Sequence, residues 1–221
     1  MQNSINEADS VLTHSNKFSL FKLFTKGYTY KHENEEFTIK ALLNSWSFNI
    51  VEGLVLKPKF QHQIFLKNNK SFQVASSWRF TSEGIHFKPI FSATYFANAR
   101  RLEQISLRGG IDVSQFEPNT VQESQNTMNT LLYKLNIMKI YERRFVEMSY
   151  FRELFHGVQA KATIGFNKRF PLENNSEFTI WQQMERVYTP NTSPLYFSAH
   201  EALLFQLDVY FNFKQNYELL D

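Results

Sequence analysis

His32 and Glu35 stand three apart in the run Lys-His-Glu-Asn-Glu-Glu, the spacing with which some zinc carboxypeptidases hold their metal. No third ligand follows at a recognisable spacing, and so charged a run reads as a solvated turn between strands. His200-Glu201 opens like a zincin helix, but Leu204 stands where the second histidine is required. His14, His62, His86 and His156 are scattered singly, the usual mark of structural histidines. Arg108-Gly109-Gly110 lacks the Gly-x-x-x-x-Gly-Lys spacing of a phosphate loop and lies inside an alternating segment, where a glycine pair marks a bulge or a close packing contact. There is no Gly-x-Ser-x-Gly elbow, and Glu35-Glu36 sits in hydrated surroundings that would not raise a carboxyl pKa for general acid work. The expectation is a chain with no catalytic residues, no metal and no cofactor.

Glu52 is the carboxylate that stands out, because it precedes Gly53 at the junction of two strands. It either accepts backbone N–H groups as a hairpin-turn residue, binds a cation, or receives an arginine from the lumen of a barrel. Arg79, Arg108, Lys161 and Arg169 all fall on polar faces. They either line a water-filled lumen or pair with acidic residues on adjacent strands.

Whatever positions these residues is built almost wholly from strands. The 221 residues carry 24 Lys and Arg against 21 Asp and Glu, a balance that excludes an electrostatic nucleic-acid binder. Aromatics make up 16% and 23 residues are Phe, which favours strands, and the absence of cysteine excludes disulfides and thiolate metal sites. No run of about 18 apolar residues exists, and the first 16 residues have neither a basic nor an apolar signal region, so this chain alone lacks an export signal.

Period-2 alternation recurs along the chain. Leu54, Leu56, Phe60 and Ile64 oppose Lys57, Lys59, Gln61 and Gln63; Phe72, Val74, Trp78 and Phe80 oppose Gln73, Ser77 and Arg79. Similar rows lie in 85–97, 105–113, 158–170 and 203–213, with noisier strands at 37–51, where a bulge is expected near Asn44 and Ser45, and at 138–152. These eight segments are joined by links too short for anything but antiparallel neighbours, which predicts an all-β up-and-down meander. Met128, Leu131, Leu132 and Leu135 predict one short helix in the long loop 116–136, after a Glu-Pro-Asn-Thr turn. Residues 172–199 read as a second long loop with one irregular strand at 178–187, residues 1–17 as a disordered start, and 18–221 as the barrel portion.

The alternating runs span about 11 to 14 residues, against about 5 to 6 for soluble strands. Twelve residues tilted by about 40° cover about 30 Å, the thickness of a bilayer's hydrocarbon. Long strands and abundant aromatics fit a transmembrane barrel. A soluble barrel enclosing an apolar ligand would show the same alternation with the rows turned inward.

Phe48-Asn49-Ile50-Val51-Glu52-Gly53 followed by Leu-Val-Leu-Lys-Pro-Lys-Phe, with Gln115-Phe116-Glu117-Pro118, Tyr141-Glu142 and Tyr150-Phe151-Arg152-Glu153-Leu154-Phe155-His156-Gly157, resembles a Gram-negative outer-membrane family of unknown function. Its members are usually named carboxypeptidase-like regulatory domain-containing proteins. The resemblance implies that Asn49, Val51, Glu52, Gly53, Tyr141, Glu142, Glu153, Leu154 and Gly157 are family-motif positions. It also implies a piece of a larger outer-membrane β-barrel, with a lipid bilayer and the remaining strands of that barrel as partners. The resemblance implies that the peptidase word in such names refers to an accessory domain, expected ahead of the barrel, and not to this segment. An incomplete barrel would leave open edges near Phe37 and Phe213, with the rows led by Leu54, Phe72, Ile105 and Phe205 facing lipid.

Overall fold

The computed structural model describes residues 16–98, 101–117, 120–180, 187–191 and 197–212. After a short helix α1 (Leu20–Thr25) come strands β1 (Tyr28–His32), β2 (Glu35–Ile39), β3 (Trp46–Asn49), β4 (Gly53–Leu56), β5 (Lys59–Leu66), β6 (Lys70–Thr81), β7 (Phe87–Asn98) and β8 (Glu103–Gln115). Helix α2 (Glu123–Tyr133) follows, then β9 (Ile140–Phe155), β10 (Val158–Pro171) and β11 (His200–Phe211). Nine strands pair in the order β1-β2-β5-β6-β7-β8-β9-β10-β11, antiparallel throughout, and the β3–β4 hairpin hangs off this path through β4 against β6. The up-and-down meander predicted from the alternation is present.

The elements differ from the expected ones by two additions, helix α1 beside the one expected helix and strand β1 ahead of residue 37, and by two strand divisions. The segment 37–51 is not one bulged strand, because a 3-10 turn at Leu43–Ser45 separates β2 from β3. The segment 53–67 divides at Lys57-Pro58, where proline brings no N–H to a ladder. Both breaks let β3 and β4 fold back as a separate hairpin while β2 pairs directly with β5. No strand occurs at 178–180 or at Val187, and the expected strand's 181–186 lie outside the described residues, as do 1–15 of the expected disordered start.

Links at one end of the sheet are short: residues 33–34, 67–69, 99–102 and 156–157. Asn68 and Asn69 both adopt positive φ, 61° and 56°, the geometry of a hairpin turn whose twist matches its strands. The longer connections lie at the other end: the β3–β4 hairpin, the β6–β7 link, α2 and the described parts of the stretch after β10. These pieces form a cap with its own small apolar core of Ile50, Val51, Met138, Ile140 and Tyr188.

Cross-strand register makes the two faces distinct. One row runs Tyr30–Phe37–His62–Val74–Ala93–Leu107–Met148–Ile164–Phe205 across all nine strands. The leading residues Leu54, Phe72, Ile105 and Phe205 are exposed by 57%, 37%, 40% and 77%. Charged side chains on this outer face stand near its ends, with Lys70 and Arg152 at the short-turn end and Arg144 and Lys168 towards the cap. The inner face carries Gln73, Ser77, Arg79, Lys88, Ser92, Arg108, Glu147 and Lys161 in the alternate register. Among the described residues the sheet is open at its two ends, where β1 and β11 each pair with one neighbour.

Candidate functional site

The cap meets the inner face at Glu52. Asn49 ends β3 and turns its side chain back, so that Oδ1 accepts the N–H of Val51 (3.0 Å) and of Glu52 (2.9 Å). The turn's donors are thereby satisfied by asparagine, as in Asx turns, and the Glu52 carboxylate is left for other partners. Gly53 completes the turn at φ 67°, a conformation that favours glycine, and a Cβ there would stand 2.2 Å from Ser82 Oγ and displace that hydroxyl from the Leu54 N–H.

Glu52 is 1% exposed. Its Oε1 accepts from Arg79 Nε at 2.9 Å and from Lys88 Nζ at 3.1 Å, and its Oε2 accepts from the Arg79 guanidinium and from Asn49 Nδ2 at 3.2 Å. Lys88 also donates to the carbonyl of Ile85 at 3.0 Å. The carboxylate is thus held by β6 and β7 of the sheet. Of the alternatives open in the sequence, the structure has the arginine from the inner face, with a lysine beside it. Burial works to raise the Glu52 pKa, and the Arg79 and Lys88 charges outweigh it and hold it below the usual carboxylate value. A carboxylate kept ionised in this way does not serve as a proton donor near neutrality.

A second acid extends the cluster. Glu123, in the first turn of α2, pairs with Lys57 and lies 3.8 Å from Arg79. Burial opposes ionisation of Glu123 as well, yet Lys57 and Arg79 hold its pKa below the ordinary value; burial lowers that of Lys57. Two cavities of about 340 and 390 Å³ flank this cluster, sharing Arg79, Glu123 and Val113 in their walls. Asp112 and Arg143 line them further along, with Arg143 at 3.6 Å from Asp112 and 2.8 Å from Glu147. Arg108 is 3.5 Å from Asp112 four residues along its own strand β8, not on an adjacent strand as expected. Arg169 lies over the Tyr141 ring, and Lys161 stands opposite Phe151 on the inner face.

The family-motif residues fall into two groups at opposite ends of the sheet. Asn49, Val51, Glu52 and Gly53 form the hairpin turn just described. Tyr141 and Glu142 start β9 under the same cap, where Tyr141 meets Phe116 at 5.1 Å and the buried Glu142 accepts from Arg144 Nε at 3.2 Å. Glu153, Leu154 and Gly157 stand at the short-turn end instead. Glu153 Oε1 accepts the N–H of Gly157 at 3.3 Å, Gly157 adopts φ 78°, and Leu154 is exposed on the outer face.

Several participants were not singled out from the sequence. Lys57, Lys88 and Glu123 come from separate loops and strands, and no spacing joins them. Asn126 Oδ1 accepts the N–H groups of Ile137 (3.0 Å) and Met138 (2.9 Å), and Asn191 exchanges bonds with both backbone groups of Ile140. The histidine candidates stay apart: Glu35 pairs with His62 at 3.1 Å, and His200 Nδ1 lies 3.0 Å from the carbonyl of Ser198. Among the described residues no group of three His, Asp or Glu is placed to hold a metal ion. The glycine pair is a packing contact, since a Cβ on Gly110 would stand 2.2 Å from the carbonyl of Pro89.

No curated protein and no solved structure matches the chain. Residues 21–220 match the C-terminal domain of a family of unknown function, DUF5686, and the chain belongs to that family.

Proposed function

We propose that the chain is a non-enzymatic wall segment of an outer-membrane β-barrel of structural or transport class, with lipid against its outer face and the remaining strands of a larger barrel at its edges. The observation that carries this reading is the inverted distribution of the two faces. A soluble barrel hides its apolar rows and wets its polar ones, whereas here the row through Val74, Leu107 and Phe205 is exposed and Arg79 and Lys88 are buried. On β9 the outer face is apolar at Val146, Met148 and Tyr150 between Arg144 and Arg152. Eight residues at about 3.3 Å make about 26 Å along the strand, and about 20 Å once tilted by about 40°, comparable with the roughly 25 Å apolar band of such barrels. Aromatic contacts such as Trp78–Phe87 and Phe80–Phe87 lie towards the cap end, as an interfacial girdle would. Short turns at one end and long loops at the other also suit the bacterial outer-membrane pattern. The family resemblance supports that membrane in particular, and the carboxypeptidase-like naming of its members brings no peptidase chemistry to this chain.

Adjacent residues on opposite faces test the reading in cells that express the protein. Val74→Arg puts a charge at mid-height on the outer face, where it costs about 2–4 kcal/mol in lipid, while Gln73→Arg puts one on the wet face. Carbonate-resistant membrane pelleting should be lost for Val74→Arg and kept for Gln73→Arg. A native protein that is released by carbonate would instead support a soluble barrel that binds an apolar molecule.

A further inference from the structure

We propose that α1 is an interfacial anchor that lies in the headgroup layer of the bilayer at the rim of the wall, with its lysines against anionic headgroup phosphates; this rests on the membrane reading above. Leu20, Phe21 and Phe24 fall within about 100° of one another on the helix and are all exposed, Phe21 by 78%. Leu23 turns to the protein, its carbonyl accepting the N–H of Leu42 at 3.4 Å, and Lys22 lies on the side away from Phe24. The helix is therefore amphipathic, with its apolar side uncovered by any of the described residues and lysines at 17, 22 and 26 around it.

Its position fits one occupant. Phe18 packs edge-on against Tyr28 at 5.3 Å, and Tyr28 belongs to the outer face through the row Tyr28–Ile39–Phe60. The apolar side of α1 thus continues the lipid-facing belt and does not cover the inner face. The bond to Leu42 ties α1 to the cap end, the level of the Trp78 and Phe87 girdle, where amphipathic segments meet headgroups. Gly27 fixes this placement: it ends the helix at φ 89° and brings the backbone so close to Ile39 that a Cβ would stand 2.6 Å from its carbonyl oxygen.

Because the chain has no cysteine, single introduced cysteines carry a fluorophore cleanly. The full chain, labelled at Phe21→Cys, Lys22→Cys or Val74→Cys, is reconstituted in phosphatidylcholine vesicles with or without phosphatidylglycerol, with acyl chains brominated either near the headgroup or deep. The label at 21 should be quenched by shallow bromines and that at 74 by deep ones, with 22 quenched least. Phosphatidylglycerol should favour the quenched state of the label at 21, and each lysine among 17, 22 and 26 changed to Gln should reduce that preference roughly fivefold. Quenching at 74 without quenching at 21 overturns the anchor and leaves the barrel wall standing. No quenching at 74 overturns the barrel wall, and the anchor with it. Quenching at 21 that ignores phosphatidylglycerol overturns the phosphate contact.

Discussion

Glu52 is stable as an ion only because Arg79 and Lys88 surround it. Breaking a buried pair by removing one partner leaves an uncompensated charge, which costs about 3–5 kcal/mol. Glu52→Gln should therefore lower the unfolding free energy by that order in detergent-folded protein, measured by urea titration, although the amide keeps the shape. Unchanged stability would mean that the two cations are satisfied without the carboxylate. The pKa of Glu52 and that of Glu123 are both below the ordinary 4.5, so their contribution is fully present above that value and is lost as pH falls through the lowered folded pKa values. Cap unfolding should accordingly set in below about pH 4.5 and be much reduced in the Glu52→Gln, Glu123→Gln double variant. Gly53 and Gly84 separate strain from crowding: both have positive φ, but a Cβ meets Ser82 Oγ at 2.2 Å in the first and only Asn175 Nδ2 at 3.5 Å in the second. Gly53→Ala should cost clearly more than the roughly 1 kcal/mol expected of Gly84→Ala in the same titration.

Alternation placed most of the long strands because each has one apolar and one polar face, a signal that survives without any knowledge of pairing. The same rule failed at β3 and β4, since a four-residue strand is too short to show a period and Phe37 to Val51 looks continuous until the 3-10 turn is seen. Helix α2 is legible as a helix from its spacing, but the spacing does not give the face it buries. The buried residues of α2 are Asn126, Thr127 and Thr130, while Met128 on the apolar stripe and Leu135 just past the helix are exposed. The reason is what α2 packs on: Thr127 Oγ1 accepts the N–H of Phe48 at 2.9 Å, and Asn126 supplies a chain segment that has no ladder of its own. Each buried N–H stripped of its acceptor costs about 1–3 kcal/mol, so Asn126→Ala should destabilise the cap by roughly 2 kcal/mol or more. Met128→Gln, on the exposed stripe, should change it by less than about 0.5 kcal/mol. The reverse order, read as cap melting by near-ultraviolet dichroism, would restore the apolar stripe as the packing face.

Among the described residues the sheet ends at β1 and β11, and the two ends are unlike: the edge expected near Phe37 lies one strand earlier, because β2 pairs with both β1 and β5, and Phe213 lies outside the described residues. β1 is five residues long, and Asn16 folds over it: its Oδ1 accepts the N–H of Lys31 at 2.9 Å and its Nδ2 donates to the Lys31 carbonyl at 2.8 Å. A single side chain thus imitates a pairing strand and blunts that edge. β11 is twelve residues long, pairs among the described residues with β10 alone, and carries Leu203, Phe205, Leu207 and Val209 exposed along its outer face. Unpaired backbone in hydrocarbon costs several kcal/mol per group, so a wall segment in lipid must add a strand at β11 or associate there. The chain alone in micelles should therefore join through β11, and cysteines introduced on the inner face report which edge is used. Gln206→Cys, near the middle of β11, should give disulfide-linked dimers under mild oxidation, while Thr29→Cys on β1 should not. A dispersed monomer that resists cross-linking at 206, with β11 amides as protected from hydrogen exchange as those of β9, would mean that the sheet closes on itself, and a small autonomous barrel would replace the wall segment.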